Sequence, residues 1–372
     1  YQKLQVPDSA YRALTKEFSL QYFNADDWIK SLRDAGAKYF VITAKHHDGF
    51  ALWDSKVSTY DIAITPAKKR DILGELVKAC KKYGLKYGFY YSHWMDWDAP
   101  YGGVPGEKKQ PTDEQFEQYW QQKCLPQVRE LLTLYNPDML WFDTWKSPGA
   151  IKLINTKRRD ELIRSIRKLS NKCMINGRIS YVDPGKNIDL IEMGDNEYPD
   201  KVIATPWQTS ATMQRSWGYH SHDYDWKPAN QMLRYLVNNI SKGGNYLLNI
   251  GPKANGTIPL EAQQRLKEIG AWIGSNQEAI YNVTHSGILT QKGVLAAENE
   301  IGGKKVYYLY ITDPDLNGEL ALDIPFDAVA LITKLDSGMP YQLSNKSGKT
   351  GIAISKNARY DSAVKVLKIV LK

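Results

Sequence analysis

Hydrophobic and polar positions along this chain follow two periods, and together they lay out its elements. Trp28, Leu32 and Ala35 share one helical face, with Asn24 as N-cap and Gly36 as the stop. Tyr39 to Thr43 is an apolar run that reads as a strand. Asp71 opens a helix carrying Leu73, Leu76, Val77 and Cys80 at helical spacing, and Gly84 closes it. Lys86 to Tyr91 reads as a strand, and Glu114 to Tyr135 as a long helix that Pro126 should kink. Asp138 to Asp143 is the next strand and Glu161 to Leu169 the next helix. Cys173 to Asn176, Ile188 to Met193, Val202 to Thr205 and Tyr246 to Ile250 complete the strand candidates, with helices predicted at Ala229 to Ser241 and Leu260 to Ile280.

A strand-then-helix order means a parallel sheet with helices outside. The count is seven strands, one short of a closed (β/α)8 TIM barrel. No strand precedes the first helix, so the first strand of such a barrel is expected to be the one this chain lacks. From about His285 the period changes to short alternating runs: Val306 to Ile311, Leu320 to Leu322, Val329 to Ile332 and Val364 to Leu371. Gly302-Gly303 and Asn317-Gly318 mark turns between them. The expected organisation is a (β/α)8-like barrel over residues 1–284 and a C-terminal antiparallel β-sandwich over residues 285–372.

Composition narrows the function. The chain has 372 residues, 42% hydrophobic and 24% charged, as in an ordinary globular protein, and it holds no apolar run long enough to predict a membrane span. Its net charge of +8 is spread without a basic, aromatic-laced run, which argues against nucleic acid as a partner. Cys80, Cys124 and Cys173 are odd in number and far apart, so they suggest neither a disulfide framework nor a zinc motif. Eleven Trp and 24 Tyr supply flat apolar faces with polar edges, which suit the C–H faces of sugars.

Candidate chemistry gathers at strand ends, where an α/β barrel opens its mouth. The run Pro137 to Phe142 ends in Asp143. The first strand runs into Lys45-His46-His47-Asp48-Gly49-Phe50, the next into Tyr90-Tyr91-Ser92-His93-Trp94, and another into Asn176-Gly177-Arg178. Adjacent histidines point roughly opposite ways, so His46 and His47 read as neutral hydrogen-bonding groups for sugar hydroxyls rather than as metal ligands, and no metal or other cofactor is expected. Two carboxylates at one barrel mouth suggest glycoside hydrolysis, one attacking and one protonating the leaving oxygen. Asp143 is the candidate nucleophile, with Glu192, Asp195 and Glu197 competing for the acid.

Taken together the motifs resemble glycoside hydrolase family 29, the α-L-fucosidases. The matching stretches are Phe23 to Ala37 leading into Lys45-His46-His47-Asp48-Gly49-Phe50, Leu140-Trp141-Phe142-Asp143, Ser216-Trp217-Gly218-Tyr219, Lys242 to Pro252, and Trp272 to Tyr281. The resemblance implies a metal-free, retaining exo-hydrolase of terminal α-L-fucose on glycans, with a barrel followed by a β-sandwich. It implies Asp143 as nucleophile and Glu197 as acid/base. It also implies His46, His47 and Tyr91 as binders of fucose hydroxyls, Trp141 packed beside the sugar, Arg178 near the nucleophile, and Trp207 at the sugar site. Two departures stand out. Members begin with a strand ending in His-Trp-Gly, which has no match here, and many carry Trp-Glu where this chain has Trp207-Gln208. Gln cannot donate an acidic proton, so Glu197 keeps the acid role and Gln208 becomes a neighbour of the leaving group. The alternatives within this frame are an exo-α-L-galactosidase, told apart by the polarity around the sugar's C6, and an inactive carbohydrate-binding protein. Enzymes of this class meet glycans outside the cytoplasm, so a periplasmic or secreted location is expected.

Overall fold

Residues 6–104, 109–182, 187–288, 290–356 and 364–372 are described by the computed structural model. They divide into two compact units, one of Tyr1–Arg33, Ala37–Glu192 and Pro252–Pro259, the other of Asp34–Gly36, Met193–Gly251 and Leu260–Lys372.

The first unit opens with two helices, α1 (Asp8–Ala13) and α2 (Ala25–Asp34), and then alternates strands with helices. In chain order these are β1 (Tyr39–Lys45), α3 (Ile72–Tyr83), β2 (Lys86–Tyr91), α4 (Asp113–Tyr119), α5 (Leu125–Tyr135), β3 (Met139–Phe142), α6 (Pro148–Leu153), α7 (Thr156–Leu169), β4 (Met174–Ile175) and β5 (Ile191–Glu192). Strands β1 to β4 pair side by side in chain order, all parallel, as helical crossovers require. Helix α3 shows why its ends fall where the sequence places them. Asp71 caps it by accepting from the Gly74 amide at 3.0 Å, and Gly84 ends it in the left-handed region. Its apolar face buries Leu73, Leu76, Val77 and Cys80.

The long helix expected from Glu114 to Tyr135 is one continuous path with a π-helical turn, Trp120–Cys124, between α4 and α5. Pro126 follows directly, as the second residue of α5. The wider turn gives the proline ring room and absorbs its missing amide, so the kink takes the form of a bulge. Strand β3 is buried along its whole length, whereas Tyr39 to Ile42 of the edge strand β1 are only partly covered.

The second unit contains the parallel pair β6 (Trp207–Thr212) and β7 (Gly244–Asn249), joined through α8 (Ala229–Ser241) and followed by α9 (Leu260–Asn276). The strand expected at Val202 to Thr205 is not formed; that stretch is irregular, and the strand lies just beyond it at Trp-Gln-Thr-Ser-Ala-Thr. All six of these residues are buried despite four polar side chains. Thr209 Oγ1 donates to the Glu197 carbonyl at 2.7 Å, a partner that makes burial of its hydroxyl tolerable.

Two antiparallel sheets complete this unit. One pairs β8 (Thr284–His285), β9 (Val294–Ile301), β10 (Lys304–Ile311), β12 (Val329–Lys334) and β15 (Lys365–Leu371); the other pairs β11 (Gly318–Pro325), β13 (Leu343–Lys346) and β14 (Lys349–Ile354). Leu309, Ile311, Ile332, Leu367 and Ile369 from the first meet Leu320, Leu322, Ile352 and Ile354 from the second in one apolar core. That is a β-sandwich. The Gly302-Gly303 turn joins Ile301 to Lys304 with positive φ at both glycines, the conformation of a two-residue hairpin.

Candidate active site

Parallel register decides which side chains share a face. Tyr90 on β2 lies opposite Trp141 on β3, and Tyr91 opposite Phe142. Strand side chains alternate, so Tyr90 and Trp141 point one way, with Asp143 two residues on, while Tyr91 and Phe142 point the other. On the first face the Tyr90 and Trp141 rings stack at 5.0 Å, and His46 stacks on Tyr90 at 5.1 Å. Arg178 lies over the Trp141 ring, 5.3 Å from its centre.

Asp143 is held from several sides. Tyr90 OH donates to its Oδ2 at 2.7 Å, Arg178 Nη1 pairs with Oδ1 at 3.2 Å, and Trp94 Nε1 donates to its backbone carbonyl at 3.0 Å. His47 Nε2 stands 3.5 Å from Oδ2. Burial, reinforced by the nearby charges of His46, Lys45 and His93, holds the His47 pKa well below the ordinary imidazole value, so the ring is neutral. Its tautomer follows from Ser92. The Ser92 hydroxyl donates to the Met95 carbonyl at 2.8 Å, so at 2.7 Å from His47 Nδ1 its oxygen must accept. His47 therefore carries its proton on Nδ1 and turns a lone pair from Nε2 toward Asp143. Two acceptors thus stand side by side, 3.5 Å apart, both open to a donor that approaches alongside them.

Behind the histidines lies a buried ionic knot. Lys45 Nζ and Lys123 Nζ reach the same Asp96 oxygen at 2.8 and 2.9 Å, with Lys45 and Asp96 fully buried. Burial alone would raise the Asp96 pKa, but the two lysines more than offset it and hold the carboxyl below its usual range. The Trp97 amide donates to the His47 carbonyl at 2.8 Å, tying this loop to the histidines. Gly49 is required here twice over: its φ is +86°, and an added Cβ would lie 2.3 Å from Asp96 Oδ1.

Of the residues singled out in the sequence, His46, His47, Trp141, Asp143 and Arg178 converge. Tyr91 does not. It is fully buried on the opposite face, its OH donates to Gln127 Oε1 on α5 at 2.8 Å, and its ring lies beneath Lys45. Tyr90, one residue earlier, takes the place beside the aspartate. Trp207 is the first residue of β6 and packs over Gly244, the first of β7, at the amino end of that pair and not the carboxyl end where barrel sites lie. Gln208 is fully buried in β6. Glu197 is exposed on a turn in the second unit, where Oε2 accepts from the Gly194 amide at 3.1 Å. Glu192 accepts from Trp141 Nε1 at 2.9 Å and so stands on the aspartate's side of β3. Tyr90, Ser92 and Trp94 went unassigned in the sequence, although the period-two rule applied to neighbouring strands would have paired Tyr90 with Trp141. Among the described residues no three His, Cys, Asp or Glu side chains converge as a metal site.

An aspartate anchored at a strand's carboxyl end, within a wall of stacked rings, has the make-up of a glycoside hydrolase site. A family model described as alpha-L-fucosidase matches residues 1–278. The chain is 29% identical to an alpha-L-fucosidase of Dictyostelium discoideum, over 93% of this chain and 75% of that protein. It is 31% identical to the human plasma alpha-L-fucosidase, over 75% of this chain and 59% of the other, so it spans less than two thirds of that relative. Alpha-L-fucosidase isoenzyme 1 from Paenibacillus thiaminolyticus superposes with a TM-score of 0.85 at 29% identity, covering 99% of this chain and 91% of that one. A family 29 enzyme from Bacteroides thetaiotaomicron, solved as a trapped covalent intermediate with 2-fluoro-fucosyl fluoride, superposes with a TM-score of 0.85 at 26% identity, covering 100% and 87%. The chain belongs to the alpha-L-fucosidase family of glycoside hydrolases.

Proposed function

We propose that this chain removes terminal α-L-fucose from glycans by double displacement, with Asp143 as nucleophile and Glu197 as acid/base. The grip of Tyr90 and Arg178 on Asp143, with His47 beside it, carries the reading. In the first step an Asp143 oxygen bonds to the anomeric carbon while the bond to the leaving oxygen breaks and that oxygen takes a proton from Glu197. In the second, Glu197 takes a proton from water, the water oxygen bonds to the same carbon, and the ester to Asp143 breaks. Two inversions leave the configuration retained. The covalent intermediate trapped in the Bacteroides relative supports this scheme.

The side chains around Asp143 have separate tasks. Arg178 and Tyr90 fix the carboxylate and stabilise its charge until attack. The Nε2 lone pair of His47 accepts from a fucose hydroxyl that approaches alongside Oδ2. The edge of the His46–Tyr90–Trp141 stack offers apolar surface to the C–H face and methyl of the deoxysugar. The fold reading is a (β/α)8-like barrel through residue 284 and the sandwich beyond it; the parallel pairing of β1 to β4 and of β6 with β7 supports it. A periplasmic or secreted location goes with this proposal, because fucosylated glycans are met outside the cytoplasm.

Hydrolysis of 4-nitrophenyl α-L-fucoside and of a fucosylated oligosaccharide tests this. Asp143→Asn should lower turnover of both by more than about 10³-fold. Glu197→Gln should lower oligosaccharide turnover by roughly 10²–10⁴-fold and affect the better nitrophenolate leaving group less. Full activity of Asp143→Asn sinks the proposal. An unchanged oligosaccharide rate in Glu197→Gln moves the acid to another carboxylate, Glu192 first.

A further inference from the structure

Trp145 is a large, partly exposed aromatic side chain near Asp143 that the scheme above does not use. The loop after β3 is pinned at both ends. The Thr144 amide donates to the Arg178 carbonyl at 2.8 Å and its hydroxyl lies 3.1 Å from His93 Nε2. Ser147 Oγ accepts from the Ala150 amide at 3.1 Å and caps α6. Between these anchors Trp145 and Lys146 project, both exposed. The indole is still fixed in place: it packs against the His47 ring at 5.5 Å and against Trp94 at 5.4 Å. Trp94 in turn holds the Asp143 carbonyl. Trp145 is thus seated next to the nucleophile's own backbone by two rigid rings. Yet it is 39% exposed, where Trp94 is 1% and Trp141 4%.

An exo-hydrolase encloses the terminal sugar and leaves the next one at the rim, half in water. The terminal sugar already has Trp141, Tyr90 and His46. A partly exposed indole, held rigid beside the site, offers the flat apolar face that the C–H side of a pyranose covers, and its rigidity means that little side-chain freedom is lost on binding. Resting on the fucosidase reading, we propose that Trp145 is the platform for the pyranose from which fucose is cut, and that it sets the enzyme's preference for sugar over non-sugar leaving groups.

The test compares two substrates in the full-length protein. In α-L-fucosyl fluoride the leaving group is a single atom; in a fucosyl disaccharide it is a neutral pyranose. Trp145→Ala should lower kcat/KM for the disaccharide by roughly tenfold and leave that for the fluoride unchanged, which also shows that the variant is folded. Trp145→Phe, which keeps a ring, should recover most of the loss. Equal losses on both substrates would overturn the proposal by placing the indole against fucose itself. No loss on either would overturn it by removing any ligand contact. Failure of the wild type to turn over the fluoride is a separate result, and it alone would bring down the fucosidase reading as well.

Discussion

Tyr90 and Tyr91 are neighbours on one strand, and the structure gives them opposite jobs, so a pair of single-atom deletions tests the site directly. Tyr90→Phe removes a 2.7 Å hydrogen bond to Asp143 Oδ2. What remains near that oxygen is the His47 lone pair, which cannot donate. A hydrogen bond to a charged group contributes about 1.5–3 kcal/mol net. With 1.4 kcal/mol per factor of ten, kcat/KM should fall roughly tenfold to a hundredfold, with little change in stability because Tyr90 is only partly buried. Tyr91→Phe removes a 2.8 Å hydrogen bond to Gln127 Oε1 in a fully buried place. It leaves a buried acceptor short of a partner, which costs about 1–3 kcal/mol of stability, and it should leave kcat/KM as it was. Urea unfolding gives the first quantity and 4-nitrophenyl fucoside hydrolysis the second. If Tyr91→Phe cripples turnover while Tyr90→Phe does not, the face assignment of β2 is wrong, and with it the placement of the whole site.

Lys45→Met should destabilise the protein by about 3–5 kcal/mol, because Asp96, fully buried, would keep Lys123 as its countercharge but lose Lys45; an unfolding free energy within about 1 kcal/mol of wild type, the size of a surface pair, would refute the knot's importance. His93 is buried, and burial lowers its pKa to about 4. It is neutral in the fold but takes a proton near pH 6.5 when unfolded, so stability should fall as pH drops from about 6.5 to about 4, by roughly 1.4 kcal/mol per pH unit from this residue. His93→Gln should flatten that part of the curve, read by thermal melts across the range; an unaltered slope would show that His93 is not the group titrating.

What could be read from the sequence and what could not divide along a physical line. Helices α3 and α8 and strand β2 were legible because caps and apolar periods are local signals. The glycine pair at 302 and 303 announced its hairpin for the same reason. Strand β6 was not legible, because burial of Gln208, Thr209, Ser210 and Thr212 depends on partners distant in the chain, and hydropathy then points to the wrong segment. Tyr91, implied as a sugar binder by the resemblance, faces Gln127 while Tyr90 faces Asp143; which of two neighbours faces a site depends on register between strands, since a slip of one residue sends a side chain to the other face. Trp207, implied at the sugar site by the resemblance, lies at the amino end of β6, and its place depends on where that strand begins and which strand it pairs with. Polar candidates collect where the apolar run stops, at Asp143, His46 and His47, so the proposed acting residues are the ones that hydrophobic pattern leaves unassigned. Their types were visible in the chain. Their partnerships, Tyr90 with Asp143 and Ser92 with His47, are set by pairing between strands and by loop contacts, which no period encodes.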